Sequence, residues 1–272
     1  EESELGKVVP AHYEFCMNCD RFLREILHVE KKAPFFYRTD WIDQINEWKN
    51  KFPFKYDKAP ERKIKAQDVI SEINNRLKKI QSDYLITTGV GNHQMYAAQF
   101  IKWTRPQTMI TSGSLGVMGV GLPYAIGCQI ANPDVLVIDI DGDGSFHHTL
   151  AELKTIRDHG LPIKIAIMND GHMSMVRVWE ELFFDKRYTA TTLPQNPDYV
   201  ALAESFGIKA IQCATTSELE HKINYFLNYP GPILCDFQIE TDMCLPLVGP
   251  GKALDDMILE KNNILVSGSA PN

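Results

Sequence analysis

The stretch Val135-Leu136-Val137-Ile138-Asp139-Ile140-Asp141-Gly142-Asp143-Gly144-Ser145 passes from an almost unbroken apolar run into carboxylates alternating with glycines. A short run of this kind reads as a strand buried on both faces, as in a parallel sheet covered by helices. Ligands of open parallel sheets bind at the carboxyl ends of the strands, where glycines let the backbone approach closely. Asp143 is therefore a candidate hard-oxygen ligand for Mg²⁺, and the N–H groups around Gly142, Gly144 and Ser145 can meet phosphate oxygens. Taken alone, a DGDG turn also suits a calcium loop or a plain turn.

Downstream, a helix from about Thr149 to Asp158 leads to a second apolar run, Ile163 to Met168, which ends in Asn169-Asp170-Gly171-His172. One strand-helix-strand crossover separates the two motifs, so Asp143 and Asp170 fall at neighbouring strand ends on one sheet edge. A single octahedral ion could bridge both carboxylates to a diphosphate and keep a water.

Working outward, Val69, Ile70, Ile73, Leu77 and Ile80 fall on one face of a helix that starts at Ala66. Tyr84 to Thr88 reads as a strand, and a Gly-rich stretch runs from Gly113 to Gly127. Asn196-Pro197 opens a helix closed by Gly207, with Asn196 as N-cap and Pro197 at the first helical position. Thr215 and Glu218 offer a capping box, and Pro232 to Ile239 reads as a last strand. The fold expected is α/β: a doubly wound, mostly parallel sheet of five or six strands with helices on both faces. Residues 1–60 form a connector rich in aromatics and charge and broken by Pro34, Pro53 and Pro60; within it, Asp40 to Lys49 could form a helix packing Trp41, Ile45 and Trp48 on one side. Residues 61–240 form the α/β domain and 241–272 a C-terminal arm.

The net charge of −7 over 272 residues, with both signs interspersed, leaves no basic face for nucleic acid. No apolar run approaches the roughly 20 residues that span a bilayer, and Glu1-Glu2-Ser3-Glu4 has no resemblance to a signal peptide, so the chain reads as soluble and without an address. The six cysteines are scattered, several inside apolar segments, which favours a reducing compartment over a disulfide framework. Cys16-Met17-Asn18-Cys19 lacks the second ligand pair of a zinc site and the βα context of a redox motif, and reads as two free thiols near a helix start.

Gly-Asp-Gly followed, after a spacer of this length, by an Asn-Asp pair is similar to the signature of thiamine-diphosphate enzymes, and residues from about Trp41 to Asp256 resemble the C-terminal part of the acetolactate synthase (acetohydroxyacid synthase) family. The resemblance implies a thiamine-diphosphate-binding fold in which Mg²⁺ is held by Asp143, Asp170 and the carbonyl of His172; read one residue earlier, the pair becomes Asn169 and the Gly171 carbonyl. Thr87 to Met95 resembles the family's diphosphate-anchoring loop, with Val90, Gly91, Asn92 and His93 at the phosphates. Thr111 to Gly119 resembles the loop under the cofactor, where Gly116 lies and Met118 wedges thiamine diphosphate into its V shape. Met175 opens a segment of cofactor contacts that leads to Trp179, which in the family lines the substrate entrance and influences the acceptor. Pro246 to Gly251 resembles an arm that folds over the active site.

Three departures bear on substrate preference and remove no metal ligand. Met173-Ser174 stands where Gln-Gly is common, and Asn92 and Tyr96 stand where Gln and Trp are common. The activity implied is decarboxylation of pyruvate and condensation with a second 2-oxo acid, pyruvate or 2-oxobutyrate, in branched-chain amino acid biosynthesis. The family also implies FAD in the full-length enzyme, a homodimer or tetramer, and a regulatory subunit. It places the catalytic glutamate in an N-terminal domain, so no catalytic residue is expected here and the chain reads as a fragment or half of a split enzyme. Two rival readings are another thiamine-diphosphate 2-oxo acid decarboxylase or carboligase, and a non-catalytic cofactor-binding module. The compartment implied is cytoplasmic for a bacterial source and mitochondrial or plastid for a eukaryotic one.

Overall fold

The computed structural model describes residues 1–30, 38–60, 62–80 and 83–260. Pro34, the Phe35 to Tyr37 aromatics and the end of the C-terminal arm from residue 261 lie outside the described residues. The chain divides into two compact units, residues 1–53 and 54–272.

The first unit holds helices α1 (Cys19–Glu30) and α2 (Thr39–Lys51), neither of which buries a residue. Asn18 accepts the Asp20 amide at the start of α1, and Cys16 and Cys19 are free, exposed thiols beside it. On α2 the rings of Trp41 and Trp48 meet edge to face at 5.5 Å, as their seven-residue spacing predicts.

The second unit is one parallel sheet covered on both faces. Helix α3 (Ala66–Leu77) precedes β1 (Tyr84–Thr88), followed by α4 (Asn92–Phe100), β2 (Met109–Ile110) and α5 (Gly121–Ala131). Then come β3 (Leu136–Gly142), the single turn α6 (Asp143–Phe146), α7 (Leu153–His159) and β4 (Lys164–Asn169). Helices α8 (Ser174–Phe183) and α9 (Tyr199–Ser205), β5 (Lys209–Cys213), α10 (Thr216–Asn228) and β6 (Ile233–Gln238) complete the layer. The strand order is β2-β1-β3-β4-β6-β5, and every neighbouring pair is parallel.

The continuous apolar strands follow from the two covered faces. Ile138 and Ile140 of β3 point into one core with Ile70 and Ile73 of α3 and Phe226 of α10. Val137 on the same strand points into the other, with Leu122 of α5, Leu153 and Ile156 of α7, and Tyr199 of α9.

Local structure departs from the sequence expectation at five places. The helix expected from Asn196 starts at Tyr199 instead. Asp198 is its cap, accepting the Val200 and Ala201 amides, and Asn196 turns elsewhere. The helix expected from Thr149 begins as a 3₁₀ turn at Leu150–Glu152 and becomes α-helical at Leu153, ending at left-handed Gly160. At Thr215 the hydroxyl bonds the Glu218 carboxylate, and no side chain caps the amides of α10. Finally, the segments around Asn92 and Gly121 are helices, α4 and α5.

Candidate active site at the carboxyl edge of the sheet

Gly142 of β3 pairs with Met168 of β4, so the residues just beyond these strands emerge side by side. Asp143 and Asp170 both line one cavity of about 220 Å³ at this edge. The β1–α4 segment contributes Val90, Gly91, Asn92 and His93, and the loop after β2 adds Gly116 and Met118. Gly142, Gly144 and Ser145 border it from the end of β3, and His172 and Met175 from the end of β4. These residues, drawn from four separated segments, are therefore brought together.

Trp179 is not among them. It lies one turn further along α8, in a neighbouring hollow with Glu180, Phe184, Arg187 and Thr189, its ring 5.3 Å from that of Phe183. Val176 borders both spaces.

Asp143 is held by three donors. Its Oδ1 accepts the Gly144 amide at 2.9 Å, and Oδ2 accepts the Gly171 amide at 2.8 Å and the Asn196 Nδ2 at 2.7 Å. Burial still raises its pKa, because these bonds offset only part of the cost of hiding a charge. Asp170 accepts the His172 amide at 3.1 Å and the Ser174 hydroxyl. Burial pushes its carboxyl up to about 6, with the Asp143 charge adding to the shift. The ring Nδ1 of His172 lies 2.7 Å from the Asp170 carbonyl.

Two carboxylates that burial discourages from ionising share a cavity that no described Lys or Arg lines. An anion entering it would be repelled, whereas a divalent cation would favour both charges at once. Among the described residues there is no group of three His, Cys, Asp or Glu side chains able to hold a metal ion. Two carboxylates would therefore need main-chain oxygen and ligand oxygens to complete an octahedron.

The opposite wall suits phosphate. Helix α4 starts at the cavity, and no side chain caps its N-terminus, which leaves its first amides open to an anion. Asn92 Oδ1 and His93 Nε2 are buried without hydrogen-bond partners, and the latter lies 3.3 Å from Asp141 Oδ1. A Cβ at Gly142 would stand 2.7 Å from the His93 ring, so only glycine lets that ring lie against the strand end. Ser145 ties two walls together, its Oγ accepting the Gly119 amide at 2.9 Å and the Val90 amide at 3.4 Å.

Sequence reasoning missed Asp242 and Asn196, and noted Tyr96 only as a departure from the family. Tyr96 and Asp242 line the cavity, and the Asp242 carbonyl accepts from Asn92 and Tyr96 while its carboxylate pairs with Lys65 at 2.9 Å. The local sequence places Asn196 at a helix cap, whereas its side chain bonds Asp143 and Asn169. It lies in the loop between α8 and α9, and its partners Asp143 and Asn169 stand 53 and 27 positions earlier, so no local pattern signals its place in the site.

An all-parallel sheet with a ligand cavity at its carboxyl edge defines the class: an α/β cofactor-binding domain. The chain belongs to the family described as thiamine pyrophosphate enzyme, C-terminal TPP binding domain, which residues 89–237 match. It is similar to the mitochondrial acetolactate synthase of Schizosaccharomyces pombe, with 44% identity covering 95% of this chain and 39% of that protein. The mitochondrial acetolactate synthase catalytic subunit of Saccharomyces cerevisiae is 43% identical over 85% of this chain and 34% of its own length. The acetolactate synthase isozyme 2 large subunit of Escherichia coli is 39% identical, covering 80% and 39% respectively. The chain thus spans well under half the length of these relatives.

Proposed function

We propose that the cavity holds the diphosphate of thiamine diphosphate through a Mg²⁺ ion bound by Asp143, Asp170 and the main-chain carbonyl of His172. The observation that carries this reading is the meeting of two carboxylates from neighbouring strands in a cavity lined by no described Lys or Arg. Both amide atoms of Asn169 are engaged in hydrogen bonds away from the cavity, which favours Asp170 over Asn169 as the ligand. Val90 to His93, with Gly142, Gly144 and Ser145, surround the phosphates, and Gly116, Met118 and Met175 border the rest of the cofactor. When bound, the cofactor supplies the electron sink for 2-oxo acid chemistry. This chain's residues anchor it, exclude water and shape the space above it.

For the whole protein we propose acetolactate synthase activity: decarboxylation of pyruvate and condensation with pyruvate or 2-oxobutyrate. The names of the three relatives support it. Trp179 would act on the acceptor from the hollow beside the cavity. Residues 1–60 would be the tail of a preceding FAD-binding domain, up to about residue 30, and a connector, 61–240 the cofactor domain and 241–272 the arm over the site, with the catalytic glutamate supplied by another domain. The exposed apolar residues Leu115, Val117, Tyr124 and Ile130, on the Met118 loop and α5, support a homodimer or larger assembly. Relatives named as catalytic or large subunits are compatible with a regulatory partner.

The test is calorimetry on the full-length protein with thiamine diphosphate, with Mg²⁺ and with EDTA, followed by product analysis with pyruvate. Binding is expected with Mg²⁺ alone and is expected to vanish in Asp143→Ala, more than the about 10- to 100-fold loss typical of a residue that merely supports a ligand. Unchanged affinity in EDTA or in the variant would remove the metal from the site, and a product other than acetolactate would indicate another member of the same enzyme class.

A further inference from the structure

We propose that Asn196 is a positioning residue that holds Asp143 in its ligating rotamer, as the end of a polar relay crossing three strands. The relay begins on β6, where the Asp236 carboxylate accepts Asn169 Nδ2 at 2.9 Å and Gln212 Nε2 at 3.2 Å. A carboxylate can only accept, so the Asn169 amide is fixed with its nitrogen toward Asp236 and its oxygen toward Asn196. That oxygen accepts Asn196 Nδ2 at 2.9 Å, and the second hydrogen of the same nitrogen goes to Asp143 Oδ2 at 2.7 Å. Carboxylates at both ends thus set the direction of both amides between them, and no flip of either satisfies the chain.

The consequence falls on Asp143. Its Oδ2 is fixed by Asn196 and the Gly171 amide, and its Oδ1 by the Gly144 amide, so the carboxylate plane is set before any cation arrives. Asn169, Asn196, Gln212 and Asp236 do not line the cavity, and an effect on ligand binding from any of them would pass through Asp143. The loop between α8 and α9 supplies Asn196. Its placement explains why the helix there is capped by Asp198 and not by Asn196.

This inference rests on the reading of Asp143 as a metal ligand, and the experiment separates the two. Wild type and Asn196→Leu, as full-length proteins, are titrated with Mg²⁺ at fixed thiamine diphosphate, with binding read by calorimetry and the melting temperature of the metal-free protein read in parallel. The expected result is that Asn196→Leu needs about 10- to 100-fold more Mg²⁺ for half-maximal cofactor binding, regains full binding at high Mg²⁺, and melts as wild type does without metal. Asn169→Leu should behave in the same direction. If wild type binds and Asn196→Leu titrates identically, the inference is overturned and the metal site stands. A loss that high Mg²⁺ does not restore, accompanied by a lowered melting temperature, also overturns it, in favour of a purely structural role. If wild type binds no cofactor, the reading of Asp143 fails first. Should Asn196→Leu not fold, Asn196→Ser is read by the same titration and the same two outcomes.

Discussion

The two edges of the sheet bury charge in opposite ways. At the amino edge, Lys164, the first residue of β4, is buried, and its ammonium donates to the carbonyls of Tyr229 and Gly231 at 2.6 and 2.7 Å. At the carboxyl edge of the same strand, Asp170 shares a cavity with Asp143, and no described cation lines it. The first charge is completed by the chain itself. The second pair has hydrogen-bond donors but no described cation beside it, and perturbed carboxyls in a cleft are candidates for a functional site. One strand therefore carries a charge neutralised by the chain at its start and, just past its end, a carboxyl proposed to bind a cation.

The largest effect expected from this contrast concerns a charge at the carboxyl edge that the chain does complete. Lys65 and Asp242 form a buried pair at 2.9 Å, with side-chain exposures of 8% and 7%. By the argument above, this pair belongs with Lys164 and not with Asp170, although Asp242 borders the cavity. Lys65→Met takes the ammonium from a buried carboxylate that keeps the Gln67 and Met243 donors, and should lower the unfolding free energy by about 3–5 kcal/mol. The paired change Lys65→Met with Asp242→Leu should recover much of the loss, read by urea denaturation. A single variant as stable as wild type would erase the distinction between completed and uncompleted charges at this edge.

A smaller effect is expected at Asp170 in protein freed of metal by EDTA. Its folded carboxyl is pushed up to about 6 from an ordinary 3.8, so between these values the folded chain holds more protons than the unfolded one. Stability relative to Asp170→Ala is therefore greatest below pH 3.8 and declines as pH rises towards 6, by on the order of 3 kcal/mol in all. Denaturation at pH 4, 5, 6 and 7 reads the slope. A flat difference across that range would show that the site carries no uncompensated carboxylate.

How much of this could be read beforehand differs residue by residue. β3 and β4 were legible because apolar runs buried on both faces have no other economical explanation, and Asp143 and Asp170 were legible because each follows its strand directly. Helix α5 was hidden: its sequence, Gly121 to Ala131, is apolar and small with no polar stripe, and its face at Gly127 opens on empty space. Helix α4 was hidden for a different reason. It starts inside the segment proposed to anchor the diphosphate, where Gly91 and not a Ser, Thr, Asn or Asp precedes the first turn. Asn196 misled through propensity: Asn before Pro is a good cap, but Asp198 is an equally good one, and tertiary contacts with Asp143 and Asn169 decided between them. Pairings of that length leave no trace in local pattern.

The smallest effect is the counterpart of Asp170 at the amino edge. Burial pushes the Lys164 amine down to about 8 from 10.5, while its two carbonyl partners favour the ammonium and limit the consequence. Below pH 8 both folded and unfolded chains are protonated here, and the cost of the buried charge is fully present. Between 8 and 10.5 the unfolded chain holds more protons, so the unfolding free energy rises with pH; above 10.5 both states are neutral and the cost is gone. Wild type should therefore gain on Lys164→Met by on the order of 1 kcal/mol over this window, measured by denaturant titration at pH 7.5, 9 and 10.5. The slope is opposite in sign to that of Asp170, as expected for a base and an acid that both lose their charged form to burial. Added Mg²⁺ should flatten the Asp170 slope, because a cation completes that site, and leave the Lys164 slope untouched. A Lys164 slope that responded to Mg²⁺ would mean that the two ends of β4 are not independent, and the division between a structural and a functional edge would have to be redrawn.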